Sequence, residues 1–134
     1  MASSYVLDAY ALMAFLRDEP GGGRVHDLLA AAAKGDCVLR VTCVNWGEVL
    51  YQVERRWGEA QLNRVIAHLD ALPIQWVPVD HTLATAAAHV KAGARLSYAD
   101  AFAVALAQAT SATIVTGDPE FTAVADLVRI EWLP

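Results

Sequence analysis

Leu96–Phe121, LSYADAFAVALAQATSATIVTGDPEF, decides the fold. Ser97 followed three residues later by Asp100 is capping-box spacing in front of an apolar run, so a helix starts here. From Ala101 to Ala107 the run is apolar on every face, which predicts a buried helix rather than an amphipathic one. Thr113 to Thr116 has the length and β-branched composition of a strand. Gly117-Asp118-Pro119 stops it sharply and leaves a carboxylate at its mouth. In open parallel sheets ligands bind outside the carboxyl ends of the strands, which makes Asp118 the first corner of a candidate site.

The same alternation of strand and helix runs through the rest of the chain. Tyr5-Val6-Leu7 reads as a strand with Asp8 at its carboxyl end, and Ala9 to Arg17 carries helical periodicity. After the loop from Asp18 to Gly23, a helix is expected from about Arg24 to Lys34, stopped by Gly35. Cys37 to Val41 is a second strand. Thr42 opens a third helix that runs to about Trp57, with Glu48 early in it. Glu59 to Leu72 is amphipathic, with Leu62, Val65, Ile66 and Leu69 on one face. Gln75 to Val79 is a strand whose Pro78 suggests a sheet edge. Asp80 reads as the N-cap of a helix from His81 to Lys91, closed by Gly93. Past Pro119, a short helix (about Glu120 to Asp126) precedes a last strand, Val128 to Trp132. The pattern predicts one α/β domain over residues 1–134, with a mostly parallel central sheet flanked by helices.

Composition narrows the function. The chain has 134 residues, enough for one proper core. Hydrophobic residues make up 56% and mean hydropathy is +0.33, yet charges interrupt every apolar stretch before membrane-spanning length. The start, Met1 to Tyr5, lacks the basic and apolar regions of a signal peptide, so a cytoplasmic protein is expected. Cys37 and Cys43 match no zinc or redox spacing, and both are expected to be small buried residues in a reducing compartment. Ten basic against 15 acidic residues give a net charge of −5, which argues against binding nucleic acid by bulk positive charge. It leaves open a nucleic-acid enzyme whose acidic pocket is filled by a divalent ion, because the ion reverses the local field.

Four acids are candidates: Asp8, Glu48, Asp100 and Asp118. Singly, each has a structural reading. Asp8 and Asp118 could cap helices, the latter with Pro119 in the first turn. Asp100 could complete the box opened by Ser97, and Glu48 could be a solvated first-turn acid stabilised by the helix dipole. Their combination points elsewhere. Asp8 and Asp118 follow strands, and Glu48 and Asp100 sit near helix starts. Helix starts that follow strands lie on the strand-end edge of a parallel sheet, so topology gathers three of the four there, and Asp100 can join them from its own helix start. Carboxylates so crowded repel one another unless a cation neutralises them, and an all-oxygen donor set suits Mg²⁺ or Mn²⁺. Such clusters recur in phosphodiester hydrolysis.

In this order, Tyr5-Val6-Leu7-Asp8-Ala9-Tyr10-Ala11-Leu12, Asn45-Trp46-Gly47-Glu48-Val49, Leu96-Ser97-Tyr98-Ala99-Asp100-Ala101 and Thr116-Gly117-Asp118-Pro119-Glu120-Phe121 resemble the PIN-domain ribonucleases, and among them the VapC-type toxins of toxin–antitoxin pairs. The resemblance covers nearly the whole chain and implies a PIN-like three-layer fold. It maps the family's acidic quartet onto Asp8, Glu48, Asp100 and Asp118, with Thr116 as the supporting hydroxyl. It implies Mg²⁺- or Mn²⁺-dependent cleavage of RNA, with the metal on Asp8, Asp100 and Asp118 and Glu48 helping to orient the attacking water. A small antitoxin partner and a homodimer are further implications. One position departs from the pattern: Ala9 stands where many relatives carry Ser or Thr, which removes a hydroxyl beside the metal site.

Positive charge for RNA phosphates would come from Arg55, Arg56 and Arg95 first, with Arg17 and Lys91 as further candidates, each equally readable as a solvated surface residue. His26, His68, His81 and His89 share no ligand spacing. The four tryptophans read as core or interface, with Trp46 the one to test as a stacking platform because it lies two residues from Glu48. A phosphoacceptor domain would need a second acid beside Asp8 and a lysine near the last strand. A haloacid-type phosphatase would need Asp where Tyr10 stands. The remaining alternative is a PIN fold that binds RNA or a partner without cutting.

Overall fold

The structure, a computed structural model, describes residues 2–134. Its frame is a five-stranded sheet of β1 (Ser3–Leu7), β2 (Cys37–Thr42), β3 (Gln75–Val77), β4 (Thr113–Thr116) and β5 (Ile130–Trp132). The strands lie in the order β3-β2-β1-β4-β5, and every pairing is parallel. Starting from β1 in the middle, the chain first builds one side and then returns to build the other. The reversal falls between β1 and β4, the switch point where a parallel sheet opens a crevice at its carboxyl edge.

Both faces are covered. Alternation along the strands sends Leu7, Leu39, Val41 and Val115 to one side, under α1 (Ala9–Leu16), α2 (Gly22–Ala33), α3 (Cys43–Trp57) and α4 (Glu59–Asp70). Val6 and Ile114 point to the other, under α5 (His81–Gly93) and α6 (Tyr98–Thr110). Ala101 to Ala107 are all buried, as expected of a helix apolar on every face. Asp80 caps α5 through the Leu83 N–H at 2.8 Å. Gly22 allows α2 to cross α1 closely, since a Cβ there would meet the Ala14 carbonyl oxygen at 2.6 Å. Across the sheet edge, Arg24 of α2 holds Glu131 of β5 through two hydrogen bonds, 2.7 and 3.0 Å long.

Several boundaries differ from the expectation, each for a local reason. β1 begins at Ser3 and β2 runs on to Thr42, because pairing continues as far as a neighbour can accept it. Thr42 is thus the last strand residue and the N-cap of α3, its hydroxyl accepting from the Asn45 N–H at 3.1 Å. β3 stops at Val77 before Pro78, at the sheet edge, and β5 is shortened to three residues. α2 starts two residues early at Gly22. Gly93 is the last residue of α5 rather than a stop beyond it, and Ala94 turns extended instead. The segment after Asp118 is a 3₁₀ turn of helix, Pro119–Val124, not an α-helix to Asp126. Cys37 is buried as expected, but Cys43 is exposed, because the first residue of α3 faces outward.

Candidate functional site

The carboxyl edge of β1 and β4 holds a cleft of about 360 Å³. Its lining includes Asp8, Glu48, Asp100 and Asp118, so the fold brings the four sequence-predicted acids together. Each arrives from a different element. Asp8 follows β1 and caps α1, accepting from the Ala11 N–H at 2.9 Å. Asp118 follows β4 by one residue and caps the 3₁₀ turn, accepting from the Glu120 N–H at 2.9 Å. Asp100 lies in the first turn of α6, whose N-cap Ser97 accepts from the Asp100 N–H at 3.1 Å. Asp8 and Asp118 therefore do cap helices, and the Ser97 hydroxyl makes its half of the box with the Asp100 N–H, while all three acids also line the cleft.

Thr116 joins the first and last acids. Its buried hydroxyl donates to Asp8 Oδ2 at 2.5 Å and accepts from the Asp118 N–H at 3.0 Å. Glu48 is not a solvated first-turn acid: it is the sixth residue of α3 and half-buried. Asn45 holds it. The Asn45 side chain is fully buried, donates from Nδ2 to Glu48 Oε1 at 2.9 Å, and accepts from the Thr42 hydroxyl at 2.9 Å. The same Nδ2 lies 3.5 Å from the carbonyl of Ala99, the residue before Asp100, so Asn45 ties two acid-bearing helices to each other. The quoted Asn45-to-Val49 motif contained this residue, but its role was hidden because a polar side chain at that turn reads equally well as solvated.

Burial sets the electrostatics. Asp8 is 1% exposed, and this pushes its carboxyl up to about 7. Hydrogen bonds from Thr116 and the Ala11 N–H oppose the rise, while repulsion from Asp100 and Asp118 adds to it. Asp100, 7% exposed, is also pushed up to about 7, first by burial, against the Ser97 hydrogen bond and with repulsion from Asp118, Glu48 and Glu120. Burial raises Glu48 as well, against the hydrogen bond from Asn45. Three carboxyl groups held above their ordinary range in one cleft form a site that favours an added cation.

The donor set fits such an ion. Carboxylate oxygens of Asp100, Asp118 and Glu120 lie within 4.8 Å of one another, and all three are hard oxygen donors. Glu120 was not singled out in the sequence. Its signal was its place two residues after Asp118 in a tight turn, where the chain folds back on itself.

The predicted cations are placed differently from the acids. Arg17 lines the cleft and pairs with Glu19 at 3.2 Å. Arg55, Arg56 and Arg95 are exposed and lie outside the lining; Arg55 rests on Tyr51 and Arg56 over Trp57. The four histidines are exposed. Trp46 turns away from the cleft and meets Trp76 edge-on, with ring centroids 4.6 Å apart, so it packs with the core instead of offering a free face. A second, more apolar groove of about 500 Å³ runs along Phe15, Leu16, Trp57 and Val65. It holds none of the four acids and no chemistry is assigned to it.

Residues 5–127 match the family model of the PIN domain. No curated protein matches. Among solved structures, VapBC2 from Rickettsia felis, bound to a DNA fragment of its promoter, superposes with a TM-score of 0.75 at 14% identity, covering 98% of this chain and 99% of that one. DNA-bound VapBC from Salmonella typhimurium gives 0.74 at 15%, with 98% of both chains covered. Mycobacterium tuberculosis VapC20, a toxin that cleaves the sarcin–ricin loop, gives 0.70 at 17%, covering 97% and 99%. At these identities the likeness is one of fold.

Proposed function

The chain belongs to the PIN domain family, and from that premise we propose that it is a metal-dependent endoribonuclease acting as the toxin of a toxin–antitoxin pair. One observation carries the reading: four carboxylates from four separate elements converge in a single cleft at the switch point of the sheet. A structural role for each does not require them to meet.

In this reading Asp8, Asp100 and Asp118 hold Mg²⁺ or Mn²⁺, with Glu120 close enough to Asp100 and Asp118 to share the ion. When bound, such an ion lowers the pKa of a coordinated water and offsets the charge that builds on the phosphate oxygens. The chain supplies the rest. Thr116 fixes the rotamer of Asp8 and, through the Asp118 N–H, the distance between the two strand ends. Asn45 occupies Glu48 Oε1, which leaves Oε2 to accept a proton from the attacking water and to aim it. Ala9 cannot add a hydroxyl beside Asp8, so Thr116 is the hydroxyl that serves it.

The solved VapBC complexes of the same fold support a protein antitoxin as partner, and we include a homodimer and a cytoplasmic site of action in the proposal. Among the described residues no helix is long and apolar enough to cross a membrane. The test is cleavage of structured RNAs by purified protein with Mn²⁺ or Mg²⁺, then with chelator, beside Asp100→Asn. Cutting that needs metal and disappears in the variant is expected. Tight RNA or antitoxin binding by a protein that never cuts would replace this reading with the binding module.

A further inference from the structure

Metal-holding carboxylates explain most of the cleft, but not Tyr10. Among the described residues it is the one exposed large apolar side chain on the lining, 40% exposed at the second position of α1. Its ring is seated against main chain: an ideal Cβ at Gly117 would fall 2.3 Å from Tyr10 Cε1 and 2.6 Å from Cζ. With the ring in place, only glycine fits between Thr116 and Asp118, so the residue that reads as a strand stop also makes a seat. The buried Met13, three residues further along α1, and Arg17, the residue that ends the helix, line the cleft too. One face of the helix therefore presents a ring, a thioether and a guanidinium in a row. The other exposed aromatics near this side have partners, Tyr98 against Phe102 and Tyr51 beneath Arg55.

We propose that Tyr10 is a base-stacking platform, which receives an unpaired base of the strand whose phosphate faces the acids. The proposal rests on the nuclease reading above and adds a substrate-positioning residue to it. An acid-lined cleft repels phosphates wherever metal does not intervene, whereas a base is uncharged and offers a π-face that an aromatic ring can hold regardless of sequence. A base inside a duplex has both faces covered, so a platform at this position selects unpaired strand. Arg17, on the same face, meets the backbone phosphate further along.

The test uses Asp100→Asn protein with Mg²⁺ and a fluorescein-labelled single-stranded oligoribonucleotide of mixed sequence, read by anisotropy. Adding Tyr10→Ala should weaken binding by roughly ten-fold, while Tyr10→Phe stays within about two-fold. The same strand with abasic sugars should bind weakly and indifferently to the residue at position 10. Unchanged affinity in Tyr10→Ala, Tyr10→Phe as weak as Tyr10→Ala, or an abasic strand bound as tightly as the normal one would each overturn the platform. The abasic comparison needs no variant at position 10, so it decides even if Tyr10→Ala folds poorly. No binding of any RNA by Asp100→Asn in Mg²⁺ and by the unaltered protein in Ca²⁺ would instead overturn the nuclease reading, and the platform with it.

Discussion

The floor and the rim of the cleft are built in opposite ways. On the floor, Asp8, Asn45, Asp100 and Thr116 are buried; hydrogen bonds across long stretches of sequence join Thr116 to Asp8 and Asn45 to Ala99, and Asp100 is held locally by Ser97. On the rim, Tyr10, Arg17 and Glu120 are exposed and reach the cleft from surface turns of helix. Ionisable groups on the floor are expensive to the fold, since removing a carboxylate from water costs free energy unless the proton stays on. Rim groups cost the fold almost nothing. The difference teaches that, on the proposed reading, the floor serves the chemistry at a cost to stability, while the rim can vary with what the chemistry acts on.

The largest expected effect tests the first half of that contrast. Asp8→Asn and Asp100→Asn should each lower cleavage by roughly a hundred-fold or more while leaving the melting temperature equal or higher, because a buried charge is removed. Asn can still accept from the Ala11 N–H, so the α1 cap survives at position 8. A variant that lost activity together with cooperative melting would place these acids among the groups that hold the fold together.

Asn45→Ala should come next. It frees Glu48 and strands the Thr42 hydroxyl, so kcat should fall by roughly ten-fold with KM little changed, and stability by about 1–3 kcal/mol. In a Glu48→Gln background the same substitution should add no further loss of kcat. A full additional ten-fold loss there would show that Asn45 acts through something other than Glu48.

Protonation should separate floor from solvent without any mutation. Asp8 and Asp100 hold protons in the folded chain up to about 7 and release them near 3.8 when unfolded. Between those values the native state binds more protons, so stability of the metal-free protein falls as pH rises. Melts at about pH 5 and about pH 8 should show a lower Tm at the higher pH, by several degrees. Mn²⁺ should restore more at the higher pH, because metal and proton compete for the same oxygens. A metal-free Tm that rises over this range would mean that the carboxyls are charged and paired throughout.

The smallest effect belongs to the rim. Glu120→Gln should raise the Mn²⁺ concentration for half-maximal cleavage by about two- to three-fold and leave Tm unchanged. A loss as deep as that of Asp100→Asn would erase the distinction between the two regions.

Most of the fold was legible because periodicity and stop signals report on burial, which is local in sequence. Ala101 to Ala107 could only be a buried helix, and Pro78 could only sit near an edge. The meeting of three of the acids followed from topology, since parallel strands put strand ends and the helix starts after them on one edge, while Asp100 comes to them from α6, which follows another helix. What stayed hidden depends on side-chain direction. Asn45 looks like any polar residue in an early turn until the helix is rotated against α6. Trp46 is near Glu48 in sequence but nearly half a turn away around α3, and it faces Trp76. Cys43 is outward for the same reason. Gly117 concealed its second role because the clash it avoids is with a residue more than a hundred positions earlier.

The hydrogen bond from Thr116 to Asp8 spans 108 positions of the chain. During synthesis, Asp8 leaves the ribosome 108 residues ahead of its partner in β4. At ordinary rates of elongation that wait is about ten seconds. Until it ends, β1 has only β2 beside it, the switch point has not formed, and the cleft has no far wall. A nascent chain still attached to the RNA-rich machine that makes it therefore carries no assembled site. The topology acts as a timer, and it runs out only once the chain has been made as far as β4.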